Sequence, residues 1–348
     1  MKNLEIKTYK SFSKELCEMW KNFESSSTNY FFQSFNWQKL WFDHQIKYNK
    51  KIENYTVVIF KNNEPIMVLP FNIDYNNHLK VLRWSGSPFS DYNAPLIRND
   101  IEISKVEFLF IWETIISNNN FDCIFLENQP EKIINLNNPF FDFLKKKINN
   151  YFYFIKFNEK FEIKKKEFDN IKYQTNRLKK LGKLEFKIAK NKDEIKKVLN
   201  FIILNKSNQY DRTNAWNLLK IKSHRELFEL SNLNLSENID LSYLSLNDEI
   251  IAAQSGYQYK KRYYYLFPAY NYKYRKFSPG KVLLKNMIVN SKKNLFDYFD
   301  LTIGSENYKE NFSNFKMASA LFLYSKNLKG FIYIFFLRLK YFIKLILK

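Results

Sequence analysis

Hydrophobic and polar positions fall into two similar series along this chain. Ser11 to Phe23 has helical spacing, and Phe31-Phe32-Gln33-Ser34-Phe35-Asn36-Trp37 leads into an aromatic helix near Trp41. Trp37 and Trp41 lie four apart, so they share one helical face and read as core. Tyr55 to Phe60 is β-branched and aromatic and predicts a strand. Asn62-Asn63-Glu64 predicts a turn, and Pro65 to Ile73 a second strand, with Pro70 marking an edge or a bulge. Asn76-Asn77 turns again, Lys80 to Trp84 forms a third strand, and a loop runs from Gly86-Ser87-Pro88 to Pro95. Ile103 to Asn118 has helical spacing and Phe121 to Leu126 reads as a buried strand.

The second half repeats the rhythm. Leu241 to Leu246, Ile250 to Tyr259 and Arg262 to Phe267 predict three strands joined by turns at Asn247-Asp248 and Lys260-Lys261. Val282 to Ser291 predicts a helix and Phe296 to Ile303 a strand. Strand, turn, strand, turn, strand, loop, helix, strand therefore occurs twice, which points to a duplicated α/β unit with mixed sheets. Between the copies, Ile171 to Leu181 predicts a helix closed by Gly182. Lys172, Arg177, Lys179, Lys180 and Lys183 crowd this stretch, either as a phosphate-facing surface or as a solvated linker helix. The expected boundaries are an N-terminal domain at 1–160, a basic interdomain helix at 161–183, a C-terminal domain carrying the donor site at 184–328, and an amphipathic basic tail at 329–348.

Composition narrows the partners. The chain has 348 residues, 56 Lys and Arg against 35 Asp and Glu, and a formal charge of +21. Such a protein is drawn to polyanions: nucleic acid, acidic lipid or a phosphorylated cofactor. Two cysteines, Cys17 and Cys123, cannot build a disulfide framework, and reduced thiols are expected. No signal peptide and no apolar run of the ~18–20 residues needed to span a bilayer is visible. A cytoplasmic protein, soluble or peripheral on the inner face of a membrane, is the expectation.

Several chemistries find no support. His44, His78 and His224 are scattered, without metal-ligand spacing, so no metal is expected. Walker, Gly-x-Ser-x-Gly and Gly-x-Gly-x-x-Gly motifs are missing. One segment does carry chemistry: Tyr272-Lys273-Tyr274-Arg275-Lys276-Phe277-Ser278-Pro279-Gly280-Lys281 follows a strand and opens a helix. Pro279 suits a first helical turn and Ser278 can cap it. The backbone N–H groups of such a start bind phosphate. Gly280 permits close approach, and Arg275, Lys276 and Lys281 add charge. A diphosphate site and a capped surface helix with incidental lysines are both open on these residues alone.

The ordered set Leu244 to Gly256, Tyr265-Leu266-Phe267-Pro268-Ala269-Tyr270, Phe277-Ser278-Pro279-Gly280, and Phe299-Asp300-Leu301-Thr302-Ile303-Gly304-Ser305-Glu306-Asn307-Tyr308-Lys309 resembles the CelD/BioF-like acetyltransferase domain family of the GNAT superfamily. Phe32-Gln33-Ser34-x-x-Trp37, Leu69-Pro70, Gly86-Ser87-Pro88-x-x-Ser90-Asp91-Tyr92 and Arg177 to Phe186 belong to the same resemblance, which covers roughly residues 30 to 312. It implies two tandem GNAT-like folds, related to those of Fem-type transferases, and acetyl-CoA or another acyl-CoA as donor. The family's pyrophosphate loop has Arg or Gln, two residues, Gly, one residue, then Gly or Ala. Here Arg275 is followed by Ser278 and Gly280, so the first glycine is replaced. The resemblance implies donor binding by Arg275, Ser278, Gly280 and Lys281. Tyr308 is then the candidate general acid, and Asp300, Glu306 and Glu249 are candidate bases. Gln254, Tyr265 and Lys309 are expected at the acyl or acceptor site. Asp91 and Tyr92 either line an acceptor cleft or form a turn.

The tail, Phe331 to Lys348, is apolar and basic. Lys340, Lys344 and Lys348 lie four apart, which suits either an interfacial helix on anionic lipid or a helix docked on the protein's own core. The expected function is acyl transfer to an amine or hydroxyl of a sugar, lipid-linked or envelope precursor, as in polysaccharide biosynthesis. The alternatives are a Fem-type transferase using aminoacyl-tRNA, whose RNA would meet the basic helix, and a non-catalytic basic scaffold.

Overall fold

Tight hairpins organise both halves of the chain in the computed structural model, which describes residues 4–48, 51–76, 78–117, 121–161, 163–235 and 237–346. The turns at Asn62-Asn63, Asn247-Asp248 and Lys260-Lys261 each place both central residues at positive φ. Two-residue turns of that kind match the right-handed twist of the strands they join. Asn and Asp tolerate the left-handed region, so two of the three are written plainly in the sequence.

The chain passes through two compact units. Residues 1–151 begin the first, 152–316 form the second, and 317–348 return to the first. The first unit opens with β1 (Leu4–Tyr9), α1 (Lys14–Ser25) and α2 (Phe35–Tyr48). Ser13 caps α1 by accepting the Leu16 N–H, and α1 buries Leu16, Trp20 and Phe23 against Val58 and Val68. A meander follows: β2 (Ile52–Lys61), β3 (Glu64–Asn76) and β4 (Leu79–Trp84). Helix α3 (Lys105–Ser117) then crosses to β5 (Cys123–Pro130), which runs parallel to β4.

Pro70 is not at an edge. β3 lies between β2 and β4, and Pro70 stands opposite Thr56. It is accommodated because the other side of β3 changes partner there: Phe71 to Asn76 pair with β4, whereas Met67 and Val68 pair with the short strand Leu96–Arg98. The missing N–H falls in the gap between two ladders.

The second unit takes up the chain within β6 (Lys147–Lys156) and continues with α4 (Lys165–Lys179), β7 (Leu184–Ile188), α5 (Lys192–Arg212) and α6 (Lys222–Asn234). Its meander is β8 (Ile239–Leu246), β9 (Glu249–Tyr259) and β10 (Arg262–Tyr265). Helix α7 (Pro279–Lys293) crosses to β11 (Tyr298–Ile303), parallel to β10, and a short α8 (Asn307–Asn311) follows. The strand order is β6-β11-β10-β9-β8-β7. The last strand, β12 (Phe315–Ser325), pairs antiparallel with β5 from Ser319 onward, giving the first unit the order β1-β2-β3-β4-β5-β12, and α9 (Leu328–Ile346) packs on β4 and β5.

Each unit thus holds a three-stranded meander, a crossover helix and a parallel fourth strand, so the chain is a mixed α/β protein built from two such units. The units divide the chain differently from the expected boundaries. The basic helix α4 is part of the second unit, because Ile171 and Leu178 enter its core beside Val282 and Leu283 of α7. Asn118, at the end of the predicted third helix, lies outside the described residues, as do Asn77 and Lys348.

Candidate functional site

Two parallel strands end side by side in the second unit, and their pairing stops before the strands do. β10 and β11 are joined through Arg262–Tyr298, Tyr263–Phe299 and Tyr264–Asp300, while β11 continues to Ile303. The cause is a bulge. Against β6 the register shifts so that Phe154 faces Asp300 and Tyr153 faces Thr302. Thr302 adopts φ +59, a conformation that β-branched residues rarely take. Asp300 holds the bulge: its Oδ1 accepts the Thr302 N–H at 2.8 Å, and its Oδ2 pairs with Arg262 Nη1 at 2.6 Å. Both side chains of the pair are buried, at 0% and 3% exposure. Asp300 is therefore not a base. A buried carboxylate held by a guanidinium and a backbone amide fixes where β10 and β11 part.

The carboxyl ends of parallel strands are where open α/β sheets bind ligands, and two groups of predicted residues follow these two strands in the chain. The first is the start of α7. A 3-10 turn, Tyr272–Phe277, brings the chain to Ser278 at φ +48, ψ +49. Where the resemblance places a glycine, serine takes the left-handed conformation that glycine favours. Ser278 makes no side-chain cap; its carbonyl instead accepts from Lys281 and Val282. A Cβ on Gly280 would meet only Tyr270 Cδ1, at 3.7 Å. The protein's own packing does not require glycine there, which leaves room over the backbone for an approaching group.

The charges expected around this turn are arranged differently. Lys281 Nζ pairs with Glu167 of α4 at 2.9 Å, so it ties two helices together. The Arg275 and Arg212 guanidiniums lie 4.4 and 4.2 Å from the Tyr272 ring centre. Arg177 lies over Phe277 at 4.6 Å and donates to the Lys276 carbonyl. Stacking of this kind fixes a guanidinium while leaving its edge able to meet a phosphate. Glu249 is exposed and accepts from Tyr274 Oη at 2.7 Å and Asn271 Nδ2 at 3.1 Å. It anchors the turn and is not placed as a base.

The second group follows β11. Lys309, almost fully buried, donates from Nζ to the Ile303 carbonyl at 2.6 Å and pairs with Glu306 at 3.1 Å. A Cβ on Gly304 would fall 2.0 Å from Glu306 Oε2 and 2.5 Å from Lys309 Nζ, so the glycine makes room for this pair. Tyr308 is held well above its ordinary pKa by burial and by the charge of Glu306. Tyr265, at the end of β10, is raised by burial and by the nearby Tyr308 and Glu306. Both phenols stay protonated across the neutral range, ready to donate. Lys206 of α5 joins them. Burial pushes its ammonium down to about 8, against the attraction of Glu306 and with the repulsion of Lys309.

The structure thus brings Tyr265, Tyr308, Lys309 and Glu306 together and adds Lys206, which sequence reasoning missed. The signal was present: α5 buries Val198, Leu199 and Ile202, and Lys206 is the next position on that stripe. Gln254 is elsewhere. It is fully buried, donating to Tyr263 Oη and the Asp240 carbonyl in a network that closes on the Asp240 carboxylate, whose pKa burial raises. Asp91 and Tyr92 belong to the first unit. Tyr92 is fully buried and stacked on Tyr30 at 4.1 Å, so it is core. A hollow of about 450 Å³ in the first unit, lined by Asp100, Glu102, Asn135 and Asp142, contains none of the predicted site residues. Among the described residues, no three His, Cys, Asp or Glu side chains gather as a metal set.

Comparison with known proteins agrees with this topology. The chain has the fold of FemX, at a TM-score of 0.60 and 9% identity, covering 90% of this chain and 96% of that one. A conserved protein of unknown function from Bacteroides thetaiotaomicron gives 0.52 at 11% identity over 91% and 99%. The C-terminal domain of a putative lysylphosphatidylglycerol synthetase from Agrobacterium fabrum gives 0.51 at 9% over 80% and 87%. At such identities the likeness concerns the fold alone. No curated protein matches by sequence. Residues 165–310, which hold both groups of site residues, match the family described as the acetyltransferase (GNAT) domain.

Proposed function

We propose that this protein is an acyl-CoA-dependent transferase that acylates an amine or hydroxyl of a sugar, lipid-linked or envelope precursor, working as a peripheral protein at a membrane face. The observation that carries the reading is the parting of β10 and β11, with the Ser278–Gly280 turn following β10 in the chain and the Tyr308–Lys309 cluster following β11. A donor laid there meets the backbone of the turn with its diphosphate, while Arg275 and its stacked neighbours supply charge. The left-handed Ser278 supports a loop that has kept its shape despite losing a glycine, which argues against a decayed scaffold.

Transfer requires the acceptor's proton to leave as the thioester carbon is attacked, and the leaving thiolate to gain one. Lys206, whose proton is readily lost, is assigned to take the first. Tyr308, kept neutral, is assigned to donate to the sulfur, with Tyr265 as a further donor to developing charge. Lys309 and Glu306 orient this cluster.

A donor of the aminoacyl-tRNA type is the second reading. It is favoured by the exposed Lys165, Lys166, Lys172 and Lys179 of α4 and by Lys180 just after it, a surface suited to phosphate backbone. Against a projecting RNA-binding arm, α5 buries Val198, Leu199 and Ile202 within its own unit.

Calorimetry with acetyl-CoA, with total tRNA as competitor at near-physiological salt, tests the choice. One saturable micromolar site for acetyl-CoA is expected. Salt-sensitive binding of charged tRNA alone would move the assignment to the second reading, and binding of neither would overturn both. Tyr308→Phe is expected to lower turnover about 10²-fold or more with donor binding kept. Equal turnover would remove Tyr308 from the chemistry.

A further inference from the structure

Helix α9 has two unlike faces. Ile334 is buried, and it packs with Tyr333 and Leu337 on Val81, Cys123 and Phe125. Tyr333 Oη accepts from Arg83 Nη2 at 3.0 Å. Gly330 lies so close to the Asp122 carbonyl that a Cβ would sit 2.1 Å from it. This face is docked on the first unit.

The other face carries Leu328, Phe331, Ile332, Phe335, Phe336 and Leu339, each between 41% and 72% exposed. At 100° per residue they share an arc of about 140°, and the docked residues lie opposite. Lys329 and Arg338, both exposed, flank this arc on its two sides. From Lys326 to Lys348 the chain has six basic residues and no acidic one. Among the described residues no helix is long and apolar enough to cross a membrane.

We infer that α9 binds the surface of an anionic bilayer, lying in its plane with Phe331, Phe335, Phe336 and their apolar neighbours immersed. Large aromatic and aliphatic side chains at helical spacing, bordered by cations, suit the boundary between headgroups and acyl chains. The flanking Lys329 and Arg338 reach lipid phosphates while their stems stay in apolar surroundings. The lysine stripe expected at Lys340, Lys344 and Lys348 is not needed for this surface; those side chains lie outside the described residues. The inference deepens the membrane part of the proposed function and stands independently of the acyl donor.

Sedimentation of the full chain with phosphatidylcholine vesicles containing 30% phosphatidylglycerol, and with pure phosphatidylcholine, provides the test. Stronger binding to the anionic vesicles is expected. The triple variant Phe331→Ser, Phe335→Ser, Phe336→Ser is expected to lower partitioning about tenfold or more, with unchanged acetyl-CoA affinity. Lys329→Gln with Arg338→Gln is expected to remove most of the preference for anionic lipid. Phe335→Trp keeps an apolar residue at the face, and the fluorescence it adds to that of the six native tryptophans is expected to be quenched by brominated acyl chains. Quenching no greater than in the parent, or a triple variant that partitions like the parent, would overturn the inference. So would a parent that dimerises through this face, with the triple variant monomeric and neither binding vesicles.

Discussion

At the scale of single residues, two ionisable groups in the second unit have opposite fates. Asp300 is buried and fully engaged, so its charge is structural. Removing one partner of a buried ion pair leaves the other uncompensated. Asp300→Asn is expected to cost about 3–5 kcal/mol of stability, measured by denaturant unfolding. A cost below 1 kcal/mol would contradict its place in the bulge. Lys206 is the reverse case, a cation whose burial favours the neutral amine. The unfolded chain, with an ordinary lysine near ~10.4, binds more protons than the folded one between about pH 8 and that value. Folded stability therefore rises with pH through this window and carries a penalty below it. Lys206→Met is expected to stabilise the protein more at pH 7 than at pH 10, and to abolish a rise in turnover with pH centred near 8. A pH profile left intact would remove Lys206 from the chemistry. Neither environment is read directly from the sequence. Arg262 lies 38 positions from Asp300 and meets it only through the parallel register of β10 and β11. One lysine in a chain this basic draws no attention unless its place on an apolar stripe is followed. The segments of Tyr265, Tyr308 and Lys309 were picked out by a family resemblance, and the structure sets Tyr265 and Tyr308 near one another and Lys309 beside Glu306.

At the scale of elements, the start of α7 separates packing from binding. Gly280→Ala adds a methyl group at ordinary contact distance from Tyr270. It is expected to change the melting temperature little and, under the proposed function, to weaken acetyl-CoA binding, because the new carbon stands over the backbone assigned to the diphosphate. Gly280→Glu is expected to abolish binding by adding a negative charge. Calorimetry of the two variants decides the matter, and unchanged affinity in both would move the donor elsewhere. Hairpins were the most legible elements, since Asn62-Asn63 and Asn247-Asp248 carry turn chemistry in their side chains. Helices α5 and α6 were not read, because their apolar stripes are interrupted by Lys, Asn and Gln. Pro70 misled for a definite reason: proline excludes a strand from a continuous ladder, and here the ladder changes partner beside it.

At the scale of the whole molecule, the two-fold rhythm in the sequence is the two meanders of the structure, although the two copies share little sequence. What the rhythm could not convey is that the chain returns. β12 pairs with β5, and its sequence holds no sign of whether its partner is near or some 190 positions away. A chain ended at Lys316 keeps every residue of the second unit and deprives the first of a strand. Such a chain is expected to melt in two stages, with the first unit unfolding earlier than in the parent. A single transition at the parent's temperature would contradict the pairing. The same return has a consequence during synthesis. Domains generally fold as they emerge, the N-terminal one first. Here the second unit is continuous and can close once residue 316 has left the ribosome, while the first must wait, with the edge of β5 uncovered, for the strand that completes it. The part of the protein made first is the part finished last, and a chaperone that shields an open strand edge would be needed most by the older half of the nascent chain.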